Sequence, residues 1–141
     1  MGDFKVALID ENKVFTMAIG VFLKKEFNIE LEVFSNVELL KESDLKNFDL
    51  IMADYQLEIP GKGVSIDSSL YKWLRLKCNM TPLLLFSDSE AYQRCLGLSF
   101  TGDAYVVITT TNIFDDLRFT IKEIIKNRTS RKKMLAEIIM N

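Results

Sequence analysis

The chain has 141 residues, of which 48% are hydrophobic and two are prolines, so its length and composition indicate one compact domain with a substantial core. Its 18 basic and 20 acidic residues leave a net charge of −2, which does not favour a large nucleic-acid-binding surface. Histidine is absent, and this excludes histidine-dependent catalytic triads, histidine metal ligands and a phosphohistidine on this chain.

Two features of the sequence bear on where the protein works. The N-terminus has an acidic residue where a signal peptide would be basic, and no apolar run reaches the roughly 18 residues that a membrane span needs. Cys78 and Cys95 have neither C-x-x-C spacing nor a secretory context, which indicates reduced thiols. We therefore expect a soluble, cytoplasmic protein that makes no membrane contact.

Short apolar runs alternate with helical patterns along the chain. The predicted strands are VALI (6–9), IELEVF (29–34), DLIMA (49–53), LLLF (83–86) and AYVVI (104–108). The spacing of apolar residues predicts helices over 15–26, about 36–46, about 65–74, 89–98 and 113–125. Strands that alternate with helices favour an α/β fold, in which a parallel sheet is covered by helices on both faces.

Polar side chains follow several of the predicted strands. Asp10 and Glu11 come after the first strand, Asp54 after the third, and Ser87 and Asp88 after the fourth. In a parallel sheet these positions share the edge where ligands bind, and carboxylates gathered there repel one another. A divalent cation relieves that repulsion, and oxygen-only ligands suit Mg²⁺ or Mn²⁺. Each residue also has a simpler reading, because acids and hydroxyls at strand ends commonly cap helices or turns.

These residues, in this order, resemble the receiver domain of bacterial response regulators over residues 4 to 126. LIDEN supplies the acidic pair Asp10 and Glu11, MADYQL supplies Asp54, LLLFSDS supplies Ser87, and GDAYVVITT supplies Tyr105 at the position of the aromatic switch residue. The resemblance implies a flavodoxin-like, doubly wound sheet of five parallel strands with helices on both faces.

The resemblance also implies a chemistry. Asp54 would accept a phosphoryl group from the phosphohistidine of a sensor histidine kinase or phosphotransfer protein, and Ser87 would bind one of the phosphoryl oxygens. Mg²⁺ or Mn²⁺ would be held by Asp10, Glu11, Asp54 and the backbone carbonyl of Gln56. The output would be an altered contact with a downstream effector protein or effector domain. Such a domain is not an enzyme in its own right and makes no direct contact with nucleic acid.

The chain departs from the receiver pattern at two adjoining positions. Ile108 stands where the family has a lysine, and Thr109 stands where proline usually follows it. A non-proline cis bond costs about 2.5–4 kcal/mol, so we expect these two residues to be joined in trans. Lys13 and Lys62 are the candidates to replace the missing amine.

Three functional hypotheses remain open from the sequence. A phosphorylated receiver is the first, and a pseudo-receiver that acts as a constitutive interaction module is the alternative. A flavodoxin-like enzyme or nucleotide binder is the least supported, because no glycine-rich loop follows the first strand. The resemblance further implies, for some members, a homodimer formed through residues 89–126.

The C-terminal residues have a character of their own, and we divide the chain into a receiver domain at 1–126 and a basic amphipathic extension or start of a linker at 127–141. Basic residues precede apolar ones at helical spacing there: Arg128, Arg131, Lys132, Lys133, Met134, Leu135, Ile138 and Ile139. This segment would extend the preceding helix, dock on the domain, or lead into an effector. We interpret its basic cluster as a solvated face.

Overall fold

The computed structural model of the protein describes residues 4–36, 45–54, 74–75, 80–88, 104–110 and 112–140. Its elements are β1 (Val6–Ile9), α1 (Lys13–Phe27), β2 (Leu31–Phe34), β3 (Leu50–Asp54), β4 (Leu83–Ser87), β5 (Tyr105–Ile108) and α2 (Ile113–Met140). All five predicted strands and the first and last predicted helices are confirmed. The helices predicted at about 36–46, 65–74 and 89–98 lie wholly or mainly outside the described residues.

The five strands form one sheet in the order β2-β1-β3-β4-β5, and every neighbouring pair is parallel. This is the flavodoxin-like strand order, so the predicted fold class is confirmed. From β1 the chain goes to β2 on one side, and β3 then lies on the other side of β1. The point at which strand order reverses is therefore between β1 and β3, where doubly wound sheets bind their ligands.

Alternate side chains of the strands form two apolar layers, one on each face of the sheet. The face covered by α1 and α2 carries Val6, Leu8, Leu50, Met52, Leu84, Phe86 and Val107. The opposite face carries Ala7, Ile9, Ile51, Ala53, Leu83 and Leu85. Burial on both faces explains why these strands read as unbroken apolar runs in the sequence. The edge strand β2 differs, with Glu32 and Val33 exposed.

Two asparagines bound helix α1. Asn12 is the N-cap, and its side-chain oxygen accepts the Phe15 backbone N–H at 3.0 Å. Asn28 ends the helix in the left-handed region (φ 56°), and its backbone N–H donates to the Lys24 carbonyl at 3.1 Å. Both positions suit asparagine, which caps helix starts and tolerates the left-handed conformation.

Helix α2 runs without a break from Ile113 to Met140, so residues 127–140 extend the helix that covers the sheet. Its first half buries Leu117, Ile121 and Ile124 against the strands. Next to these residues, Arg118 donates to Glu26 of α1 at 3.3 Å and to Asp115 at 2.9 Å. The hydrogen bond to Glu26, and after it the one to Asp115, raises the pKa of Arg118 above its usual value. Within the described residues, no helix is long and apolar enough to cross a membrane.

Burial of the α2 stripe predicts the response of its core positions to truncation. Ile121 is fully buried, so Ile121→Ala should lower the free energy of unfolding by about 2–5 kcal/mol, through lost burial and the cavity left behind. Phe119, 68% exposed on the same helix, is the matched control, and Phe119→Ala should change it by about 0.5 kcal/mol or less. Urea unfolding followed by circular dichroism measures both. Equal losses at the two positions would contradict the packing described.

Candidate functional site at the carboxyl edge of the sheet

The carboxyl ends of β1 and β3 bring two aspartates together. The register pairs Ile9 with Ala53, so the next residues, Asp10 and Asp54, stand side by side on strands about 4.8 Å apart. The backbone N–H of Asp10 still donates to the Phe34 carbonyl at 3.0 Å, which holds Asp10 in line with the sheet. Both aspartates are half-exposed, at the switch point of the strand order. The register therefore places the backbones of Asp10 and Asp54 side by side at this edge of the sheet.

The turn after β1 links the site to helix α1. One carboxylate oxygen of Asp10 accepts the Asn12 backbone N–H at 2.8 Å, and Asn12 in turn caps the helix. Glu11, between them, is exposed. Asn12, and not Asp10 or Glu11, is therefore the N-cap residue of α1, and Asp10 acts on the helix start through its hydrogen bond to Asn12. The sequence analysis missed Asn12, although an asparagine just before the apolar pattern of a helix is typical of an N-cap.

Ser87 closes the site on the side of β4 and β5. It is 1% exposed, and its hydroxyl donates to the Asp88 carbonyl at 2.9 Å. Its own carbonyl accepts the Thr109 backbone N–H at 2.9 Å and the Thr109 hydroxyl at 3.3 Å. The ends of β4 and β5 are thus tied together beside the carboxylates. Asp88, the next residue, is exposed.

Ile108, at the position where the sequence resemblance leads one to expect a lysine, is half-buried and uncharged. Ile108 pairs with Ser87 in the sheet, and its carbonyl accepts the Thr110 N–H at 2.9 Å in a tight turn. None of the peptide bonds between described residues is cis, so the predicted trans link between Ile108 and Thr109 is confirmed. Lys13, the first residue of α1, is exposed. Gln56 and Lys62 lie outside the described residues.

Tyr105 is at the opposite end of its strand from the carboxylates. It is the first residue of β5, half-buried, and it pairs with Leu84 two residues short of the level of Asp54 and Phe86. Its hydroxyl accepts the side-chain N–H of Asn127 in α2 at 3.1 Å. This hydrogen bond joins the start of β5 to α2. Nothing in the sequence pattern singled out Asn127 as the partner of Tyr105.

The donor chemistry at this edge suits a hard divalent cation. Asp10, Glu11 and Asp54 offer carboxylate oxygens from two adjacent strand ends, and such ligands favour Mg²⁺ or Mn²⁺. Among the described residues, however, no three Asp, Glu, Cys or His side chains are placed closely enough to hold a metal ion. The fit to a metal therefore rests on the strand register and on the oxygen donors.

No protein-family model matches the sequence, and no curated protein matches it. Solved structures do match. A protein described as adenylate cyclase from Rhodopirellula baltica has TM-score 0.70 and 16% identity, over 96% of this chain and 98% of its own. A response regulator receiver domain protein from Clostridium thermocellum has TM-score 0.70 and 15% identity, over 94% and 98%. The response regulator TrrA from Thermotoga maritima, in complex with Mg²⁺-BeF, has TM-score 0.63 and 23% identity, over 86% and 98%.

These matches define the class of fold. The chain has the fold of response regulator receiver domains, with the five parallel strands in the same kind of sheet and acidic residues at its carboxyl edge. The resemblance found in the sequence is thereby confirmed at the level of fold.

The adjacent aspartates predict a weak response to Mg²⁺. Binding should shift the backbone amide resonances of Asp10, Glu11 and Asp54, because the cation relieves the repulsion between their carboxylates. Amide NMR during titration with millimolar MgCl₂ measures this, and Asp115, an exposed acid on α2, is the internal control for ionic strength. The shifts should disappear in Asp54→Asn. Site amides that move no more than Asp115 would rule out a metal site.

Proposed function

We propose that this chain is a receiver domain of two-component signalling, in which Asp54 accepts a phosphoryl group and alters contacts with other proteins. The observation that carries the proposal is the position of Asp54 beside Asp10 at the strand switch point, with Ser87 at the end of the next strand. The Mg²⁺-BeF complex of TrrA, a protein of the same fold, supports a site of this kind. Within this proposal the protein acts in the cytoplasm.

The phosphoryl donor must come from another molecule, since the chain contains no histidine. A carboxylate oxygen of Asp54 would attack the phosphorus of a partner's phosphohistidine, and the phosphorus–nitrogen bond would break as the electron pair returns to the imidazole. Asp10, Glu11, Asp54 and the Gln56 carbonyl would hold Mg²⁺, which would neutralise charge on the phosphoryl oxygens. The Ser87 hydroxyl would turn from the Asp88 carbonyl to one of those oxygens.

Ile108 should bind the phosphoryl group on Asp54 less strongly than a lysine at the same position would. A charge-assisted hydrogen bond contributes about 1.5–3 kcal/mol, and an isoleucine offers none. Asp88 adds an exposed negative charge next to Ser87. Both features act in the same direction, so phosphorylation of Asp54 would be slower or less complete than with a lysine at position 108.

The proposed partners follow from the same chemistry. A sensor histidine kinase or a phosphotransfer protein would supply the phosphoryl group, and an effector protein or domain would read the result. We assign the receiver to residues 1–126 and a basic amphipathic extension, or the start of a linker, to 127–141. Because α2 passes through this boundary as one helix, the extension is physically continuous with the domain.

Phosphorylation with a small-molecule donor tests the proposal and its weak point together. With Mg²⁺ and acetyl phosphate, intact-mass spectrometry should show partial addition of one phosphoryl group to wild type and none to Asp54→Ala. Ile108→Lys should raise the phosphorylated-to-free ratio by about tenfold to a hundredfold. Ile108→Met is the matched control, since it has a long side chain without charge and should behave as wild type.

The other outcomes are equally clear. Absence of a phosphoryl group from both wild type and Ile108→Lys would favour the pseudo-receiver over the proposal. Complete phosphorylation of wild type, unimproved by Ile108→Lys, would show that the missing lysine has no effect.

A further inference from the structure

The residue that follows β5 holds the end of β4. Ser87 and Ile108, the last residues of the two strands, are paired in the sheet. Thr109 then donates twice to the Ser87 carbonyl, through its backbone N–H at 2.9 Å and through its hydroxyl at 3.3 Å. A carbonyl oxygen has two lone pairs, so Thr109 can satisfy both of them. The backbone of Ser87 is therefore held by one residue beyond the paired strands.

Thr109 is itself held by a tight turn. The Thr110 backbone N–H donates to the Ile108 carbonyl at 2.9 Å, which closes a three-residue turn with Thr109 at its centre. The Thr110 carbonyl accepts the N–H of Ile113, the first residue of α2, at 3.1 Å. The Thr110 hydroxyl accepts the Asn112 N–H at 3.4 Å. The position of Thr109 is thus set by β5 on one side and by the start of α2 on the other.

The Ser87 hydroxyl must exchange acceptors if it is to bind a phosphoryl oxygen. It has one proton, which it donates to the Asp88 carbonyl at 2.9 Å. Asp54 pairs with Phe86, so Ser87 is one residue beyond the level of Asp54 on the neighbouring strand. Rotation of the side chain can redirect the hydroxyl toward Asp54 only while the Ser87 backbone stays in place. A displacement of about 1 Å in such a group can cost about a hundredfold.

We propose that Thr109 is the positioning residue of Ser87, and that its two hydrogen bonds keep the Ser87 hydroxyl within reach of a phosphoryl group on Asp54. The inference rests on the proposed function, because the phosphoryl group is the second acceptor that the hydroxyl needs. Strand β4 lies between β5 and β3, so Thr109 acts through Ser87 and not on Asp54 directly. Proline, which the resemblance leads one to expect at position 109, has neither of the two donors.

Three substitutions remove the two donors in steps. Thr109→Ser keeps both, Thr109→Val removes the hydroxyl at nearly constant shape, and Thr109→Pro removes both. Amide NMR titration with fluoroberyllate, a phosphoryl mimic, at saturating Mg²⁺ gives the dissociation constant of each variant. It should equal that of wild type in Thr109→Ser, be about threefold higher in Thr109→Val and about tenfold higher in Thr109→Pro. If Thr109→Pro does not fold, the difference between the serine and valine variants decides.

The affinity for Mg²⁺ alone is the control for a general loss of structure. Its proposed side-chain ligands follow β1 and β3, so all three variants should bind Mg²⁺ as wild type does. Thr109 is exposed, and its replacement leaves the apolar layers intact. Variants that lose Mg²⁺ and fluoroberyllate affinity by the same factor would show a structural role only, and would overturn the inference.

A double-mutant cycle tests whether Thr109 acts through the Ser87 hydroxyl. Ser87→Ala has no hydroxyl to position, so adding Thr109→Val or Thr109→Pro should leave its fluoroberyllate dissociation constant unchanged. Losses that add in the double variants, or equal affinities of Thr109→Ser and Thr109→Val, would overturn the inference alone. A wild type that binds no fluoroberyllate would overturn the proposed function, and this inference with it.

Discussion

The parallel pairing of β1 with β3 is the constraint on which the rest of the structure depends. Because these strands are neighbours in the same direction, the residues that end them, Asp10 and Asp54, reach one point of one edge. If the register shifted by one residue, one of the two carboxylates would point into the apolar layer on the face of the sheet that α1 and α2 do not cover. Such a shift would also move Leu8 and Met52 out of the layer covered by α1 and α2 and bring Ile9 and Ala53 into it. The packing of the core thus fixes the geometry of the candidate site.

The carboxyl edge and the amino edge of the sheet differ in chemistry, and both adjoin α1 and α2. The carboxyl edge carries Asp10, Asp54 and Ser87. The amino edge carries Phe4, Phe48 and the Arg128–Asp49 pair, beside two cavities lined in part by apolar side chains. Tyr105 lies at the amino end of β5, the strand that ends beside Ser87, and its hydroxyl accepts the side-chain N–H of Asn127 in α2. The acidic edge and the apolar cavities thus lie at opposite ends of the same strands.

The sequence predicted the strands well because buried parallel strands are continuous apolar runs, and each run ended where a polar residue marked the sheet edge. Asp10, Asp54 and Ser87 were found for the same reason. Asn12 and Asn127 were not, since a cap depends on local backbone geometry and the bond to Tyr105 joins residues 22 apart. A continuous helix α2 was one of three alternatives for the C-terminal residues. The sequence left them open because the polar residues between Ile125 and Met134 interrupt the apolar pattern, although they do not break the helix.

The central claim is that Asp54 is a phosphoryl acceptor, and a stable phosphoryl mimic tests it most directly. Amide NMR of the protein with fluoroberyllate should show Mg²⁺-dependent shifts at Asp10, Asp54, Ser87 and Thr109, because the mimic bonds the Asp54 carboxylate and draws the Ser87 hydroxyl toward it. These shifts should be absent from Asp54→Asn and enlarged, or seen at lower concentration, in Ile108→Lys. A wild-type spectrum that is unchanged at saturating fluoroberyllate and Mg²⁺ would contradict the account and leave a receiver fold without its chemistry.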